Sequence, residues 1–180
     1  KNFKAHISFI SVDKETGGMD IAFQLRLPGV NFDLSHGGKG KSHGWFFFTC
    51  YNSEQANTLL EVNASQNDKD FIMAVNWKKA EEYIKAGKGK MEKARYAHNT
   101  WDDETHTGKS VIKEEVLVLD VENLKDVLYL MPCPKSPHGC DVDPTGEYIV
   151  GSGKLAALIP VFSYTKIGRA SCRERVYTIV

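Results

Sequence analysis

Ile21, Phe23, Leu25 and Leu27 alternate with Asp20, Ala22, Gln24 and Arg26. Successive side chains of a strand point to opposite faces, so this spacing predicts a strand with one apolar face. "HISFISV" before it predicts a second strand, and the turn chemistry of "DKETGG" makes the two a hairpin. "WFFFTC" (45–50) is a fully apolar strand, and "DFIMAVNW" predicts another short one. "VIKEEVLVLDV" and "DVLYLM" return to strand. From Pro137 onward strand alternates with turn, through Asp-Pro-Thr-Gly and then Gly-Ser-Gly, to "LIPVFSY". Pro144 presets the first of these turns and Gly146 supplies its positive φ.

Two segments break the pattern. "GVNFDLSHGGKGKSHG" (29–44) is expected to be a Gly-rich loop. "KKAEEYIKAGKGK" predicts a helix with Ala80, Tyr83 and Ile84 on one face, stopped at Gly87. Residues 87–110 are polar and Lys-rich, without periodicity, and are expected to be an exposed excursion.

Short strands in up-and-down order suggest a sandwich, a barrel or a propeller. The run "PHG…DPTGEYIV…LIPVFSY" favours the propeller, because one four-stranded blade passes to the next in this way. The expectation is an all-β chain: a partial β-propeller of seven-bladed type, about two to three blades, with helical and loop insertions. Residues 1–166 would form it. "IGRASCRERV" (167–176) follows a clean strand with charge and no turn logic, and resembles the translation of a common sequencing adapter. Residues 167–180 are therefore expected to be a non-native tail, in which Cys172 carries no meaning.

The chain has 180 residues, is 42% hydrophobic and has a formal net charge of +0. That is enough for a compact core, with no global field to draw nucleic acid or a polybasic membrane contact. No apolar run reaches the roughly 18 residues of a membrane span. The first residue is Lys1, so the expectation is a mature chain or an internal piece of a longer one.

Cys50, Cys133, Cys140 and Cys172 form no CxxC pair, which removes zinc-ribbon and thioredoxin readings. Cys133 and Cys140 flank His138, which invites a soft-metal site; two small buried strand residues are the plainer alternative. "YNSE…DKD" supplies Tyr51, Glu54, Asp68 and Asp70, of which Glu54 and Asp68 with intervening backbone carbonyls could form an oxygen cage, since calcium takes about six to eight such ligands. His6, His36, His43, His98 and His106 suit strand edges or surface. His138 differs, because Pro137 and Gly139 fix its backbone at the start of a strand. Spacing alone leaves it as strand punctuation or as one ligand of copper, iron or zinc; one imidazole cannot hold a catalytic metal. There is no GxSxG elbow, P-loop or GxGxxG, and "GGKGK" and "GKGK" suit solvated loops better than phosphate cradles.

"WFFFTCYNSEQANTLLEVNASQNDKDFIMAVNW" and "PKSPHGCDVDPTGEYIVGSGKL" resemble the propeller of nitrous-oxide reductases. "FQLRLPGVNFDLSHGGKGKS" resembles the branch exported through the general secretory route. The resemblance covers about residues 1 to 166. It implies a periplasmic homodimeric oxidoreductase of denitrification, reducing nitrous oxide to dinitrogen and water with electrons from a donor such as a c-type cytochrome. It also implies a copper–sulfide cluster, CuZ, held by histidines in the propeller, a CuA site in a further domain, and calcium.

By resemblance, His138 in "SPHGC" matches a histidine ligand of the copper cluster. Tyr51, Glu54 and Asp68 match calcium ligands, and Val62 falls where the family uses a backbone carbonyl. Ser136 stands where many relatives have a calcium-binding asparagine, a departure in that ligand set. The calcium and His138 loops would then lie together, calcium bracing one wall of the copper site. The other cluster histidines and the CuA ligands have no counterpart here, so the chain reads as an internal piece that is inactive alone. A non-catalytic secreted propeller serving as a binding module is the alternative.

Overall fold

The computed structural model describes residues 4–52, 70–102, 107–133 and 135–167. Eleven strands are described, in the order β1 Ala5–Val12, β2 Met19–Leu27, β3 Asn31–Gly37, β4 Trp45–Tyr51, β5 Asp70–Asn76, β6 Lys90–Asp102, β7 Thr107–Asp120, β8 Leu128–Cys133, β9 Pro137–Val142, β10 Tyr148–Gly153 and β11 Val161–Ser163. One helix, α1 (Trp77–Lys85), follows β5. The strands form three open sheets in the orders β1-β2-β7-β6, β3-β4-β5-β8 and β11-β10-β9. The fold is all-β and propeller-like in part, with no closed barrel. No helix among the described residues is long and apolar enough to cross a membrane.

The middle sheet, β3-β4-β5-β8, is antiparallel throughout. It is covered on both faces, which is what an uninterrupted apolar strand requires. Phe48, Cys50, Met73 and Val75 face one core with Phe23, Leu25, Leu27 and Leu119 of the first sheet. The alternate residues Phe47, Ile72, Ala74, Met131 and Cys133 face a second core with Val142 and Ile149 of the third sheet. "WFFFTC" thus serves two cores through one strand.

The helix has the expected place and face. Asn76 caps it, its Oδ1 accepting the Lys79 N–H at 3.1 Å. Ala80 is buried, and Tyr83 and Ile84 pack against the first core. Gly87 ends it at φ +74°. The Tyr83 hydroxyl holds Asp126 at 2.9 Å, fastening the helix to the approach to β8.

Three expectations are overturned. Residues 87–110 are not a structureless excursion: Lys90–Asp102 and Thr107–Asp120 form a long antiparallel hairpin. Cross-strand hydrogen bonding needs no apolar period, so the polar sequence concealed it. The hairpin attaches through β7, which runs parallel to β2 at Gln24, Leu25 and Arg26. Arg26 pairs there with Glu92 of β6 and lies 3.7 Å from Asp120 of β7. Nor is 29–44 all loop, because Asn31–Gly37 is a strand on β4, with a register break between Phe32 and Ser35. The Gly-Ser-Gly at 151–153 lies within β10 rather than forming a turn.

"GGKGK" is not free loop either. It packs backbone to backbone on the Asp-Pro-Thr-Gly turn between β9 and β10. The Lys41 N–H donates to the Thr145 carbonyl at 3.0 Å, and the Lys39 ammonium to the Val142 carbonyl at 3.3 Å. A Cβ on Gly146 would lie 1.8 Å from the Lys39 carbonyl oxygen, at a φ of +75°. Behind this junction Glu147 accepts from Ser163 at 2.6 Å, Thr165 at 2.9 Å and Lys41 at 3.2 Å. The Ser163 hydrogen bond leads in holding the Glu147 carboxyl down at about 2, and the Thr165 and Lys41 bonds add to it.

Gly146→Ala should cost more than about 2 kcal/mol, read as a lower urea midpoint, because the chain must open this junction or strain its backbone. Glu147 should add to stability above the ordinary glutamate range and lose that contribution as pH falls toward about 2. Glu147→Gln should therefore flatten the loss of stability between about pH 4.5 and 2, measured by denaturation at stepped pH.

Candidate metal-site seam

The third sheet meets the middle one along a seam where β9 lies beside β3 and β4 without a backbone ladder. Side chains make the seam. The Thr49 hydroxyl of β4 lies 3.0 Å from the His138 carbonyl and 3.4 Å from that of Leu34. The His36 Nε2 of β3 sits 3.1 Å from the Asp141 carboxylate of β9.

His138 is the second residue of β9, with an exposed ring. Its Nδ1 lies 3.0 Å from Oδ2 of Asp33 on β3. A carboxylate only accepts, so Nδ1 carries the proton of the neutral ring and Nε2 keeps a lone pair. No described residue hydrogen-bonds that Nε2. A carboxylate behind an imidazole is the support metal-ligating histidines commonly have. Asp33 also accepts from the Lys154 ammonium at 3.1 Å, on the same oxygen. Partial burial works to raise the Asp33 carboxyl, and the His138 and Lys154 hydrogen bonds outweigh it, leaving it below its ordinary value.

A second cluster adjoins the first. Asp70, the first residue of β5, is buried, and its Oδ2 accepts the Ser136 N–H at 2.9 Å. Its Oδ1 is buried with no hydrogen-bond partner among the described residues. Asn52, next to Tyr51, and Ser136 both adopt left-handed backbone, with φ +55° and +52°. Asparagine tolerates that conformation; serine pays for it, and such strain collects at binding sites. The Lys154 ammonium stands 5.5 Å from the centre of the Tyr51 ring. The Lys154 N–H donates to the Ser136 carbonyl at 2.9 Å.

The structure brings Tyr51, Ser136 and His138 into one neighbourhood through Lys154 and Asp33. Glu54, Val62 and Asp68 lie outside the described residues. Asp70 stood in the sequence only as one carboxylate in a polar run, and Asp33 had no signal at all. What marks Asp70 is an orphaned oxygen, which fits a hard cation such as calcium: such ions take carboxylate oxygens, and a buried one left unpaired is costly. What marks Asp33 is the imidazole it holds. The donor set of one free imidazole nitrogen likewise fits copper, as a single ligand among several.

The cysteines take the plainer reading. Cys50 and Cys133 are buried, and Cys140 is half-buried. Burial pushes the Cys133 and Cys140 thiols up to about 12 and raises Cys50 further, which keeps all three in the thiol form at neutral pH; Cys172 lies outside the described residues. Among the described residues no group of three or more His, Cys, Asp or Glu side chains is arranged to hold a metal ion.

No family model matches the chain. Curated relatives do, two of them as follows. The nitrous-oxide reductase of Pseudomonas fluorescens is 29% identical over 161 residues, covering 88% of this chain and 21% of that protein. The nitrous-oxide reductase of Stutzerimonas stutzeri is 28% identical over 167 residues, covering 91% of this chain and 22% of that protein. The chain thus spans about a fifth of the length of the curated relatives it matches. Over nearly all of its own length, the protein that this chain resembles is nitrous-oxide reductase.

Proposed function

We propose that the chain is part of a periplasmic nitrous-oxide reductase, homodimeric when intact, in which His138 is one ligand of a copper–sulfide cluster. The observation that supports it most is the Asp33–His138 pair, which leaves Nε2 free to ligate. Asp33 fixes the tautomer and the ring plane, so the nitrogen is presented without reorganisation. Thr49, on the carbonyl of the same residue, keeps the backbone of His138 from shifting along the seam. Copper, when bound, supplies electrons to nitrous oxide, a poor ligand and a poor electrophile. The electrons would come from a donor such as a c-type cytochrome, by way of CuA in a further domain.

Calcium is the second metal of the reading. Tyr51, Ser136 and the orphaned Oδ1 of Asp70 lie where it would be held, with Glu54, Val62 and Asp68 as further ligands. A cation on Asp70 would offset the desolvation of its carboxylate and hold down the strained turn at Ser136. His138 lies two residues beyond that turn. Residues 167–180 belong, on this reading, to a non-native tail outside the propeller portion 1–166.

One imidazole does not make a catalytic copper site, which takes about three or more protein ligands. The 180-residue chain, supplied with copper and an electron donor, should reduce no nitrous oxide; measurable turnover with stoichiometric copper would refute the need for further ligands. Calcium should stabilise the chain by about 2.7 kcal/mol at a hundredfold excess over Kd, or roughly 5–10 °C in Tm. Asp70→Asn should remove most of that shift. An unchanged shift in Asp70→Asn would place the cation elsewhere, and no shift in the parent would favour a propeller binding module without this metal site.

A further inference from the structure

We propose that Lys154 is a positioning residue for the metal-ligating imidazole of His138, acting through Asp33. The inference rests on the reading that His138 presents its Nε2 to a metal. The sequence "GSGKL" ends β10 and enters the segment before β11, and nothing in its spacing suggests a role.

Three observations converge on this one side chain. Its ammonium lies 3.1 Å from Oδ2 of Asp33, the oxygen that also holds His138 Nδ1 at 3.0 Å. The same ammonium stands over the Tyr51 ring, 5.5 Å from its centre, a cation–π contact that adds to the hold on the head group. Its backbone N–H is bonded to the Ser136 carbonyl at 2.9 Å, two residues before His138. Lys154 therefore grips the His138 loop from behind through its main chain and supports the imidazole's carboxylate partner through its side chain.

The physical role follows from how Asp33 is held. Its carboxylate is partly buried, and among the described side chains it meets the His138 imidazole and the Lys154 ammonium. The ammonium brings a full positive charge to the same oxygen, an ion pair that fixes where the carboxylate points. Without the ammonium, a carboxylate with a single neutral donor gains by turning toward water. The imidazole would then lose the acceptor that keeps its proton on Nδ1. Lysine suits the position because its stem is long enough to cross Tyr51 while the charge stays at the tip.

The test reads the His138 tautomer in the 180-residue chain by two-bond proton–nitrogen NMR, at a pH where the ring is neutral. The parent should show the Nδ1–H form as the dominant species. Lys154→Met should lower the ratio of Nδ1–H to Nε2–H about fivefold, the effect of losing one hydrogen bond of ordinary strength. Lys154→Arg, which keeps the cation, should restore it. Asp33→Ala should show the same change as Lys154→Met, or a larger one. A parent-like ratio in Lys154→Met, with Asp33→Ala changed, would overturn the role of Lys154 and leave the Asp33–His138 reading standing. A parent that lacks the Nδ1–H form would remove that reading as well. If Lys154→Met does not fold, the parent decides: ammonium protons of Lys154 in slow exchange, coupled to the Asp33 carboxylate, support the proposal, and their absence overturns it.

Discussion

Everything in this chain depends on a four-stranded sheet that is buried on both faces. β4 and β5 contribute alternate residues to two separate cores, Phe48, Cys50, Met73 and Val75 to one and Phe47, Ile72 and Ala74 to the other. A sheet with one wet face can tolerate a slipped register on that face; this one cannot, because every one-residue shift exchanges two packed sets. The flanking sheets are held by that rigid slab. The seam on which His138 sits is the line where the third sheet meets it, so the position of the imidazole is set by hydrophobic packing on either side of it.

The seam itself is polar, and that division of labour has a reason. Apolar packing is close to isotropic and sets spacing, while hydrogen bonds set direction. Thr49, Asp33 and His36 each reach from the slab to β9, onto a carbonyl, an imidazole and a carboxylate in turn. Together they specify how far β9 can slide. The Gly146 junction and the Glu147 bonds do the same at the other end of β9 and β10. A side chain on a strand pinned at both ends is held near one geometry.

Much of this was legible in the sequence where burial leaves a pattern. Period two at residues 20–27, the apolar run 45–50 and the helix face Ala80, Tyr83, Ile84 are all imprints of packing, and all have the structure they imply. The first strand of the β6–β7 hairpin and β3 left no such imprint, because their strand character comes from neighbours rather than from their own residues. The site was legible only in part. His138, Tyr51 and Ser136 could be carried over from a resemblance, but Asp33 lies 105 residues from His138 and its role exists only once β3 and β9 touch. Asp70 was visible as a carboxylate, and its orphaned oxygen was not. Partnership and its absence are properties of the folded chain.

The middle sheet has one further property. Its strands β3, β4 and β5 follow each other in sequence, but β8 reaches its place beside β5 only after α1 and the β6–β7 hairpin have been traversed. The penalty for closing so long an excursion grows only slowly with its length, so the final stability is little affected. The order of folding is another matter. The hairpin and helix can form from local contacts, whereas the β5–β8 pairing is non-local and must wait for them. Met131 and Cys133 of β8 complete the second core, and β9 with His138 follows directly along the chain. The strand that carries His138 is thereby made a late event: the Asp33–His138 pair forms only after the sheet behind it has closed.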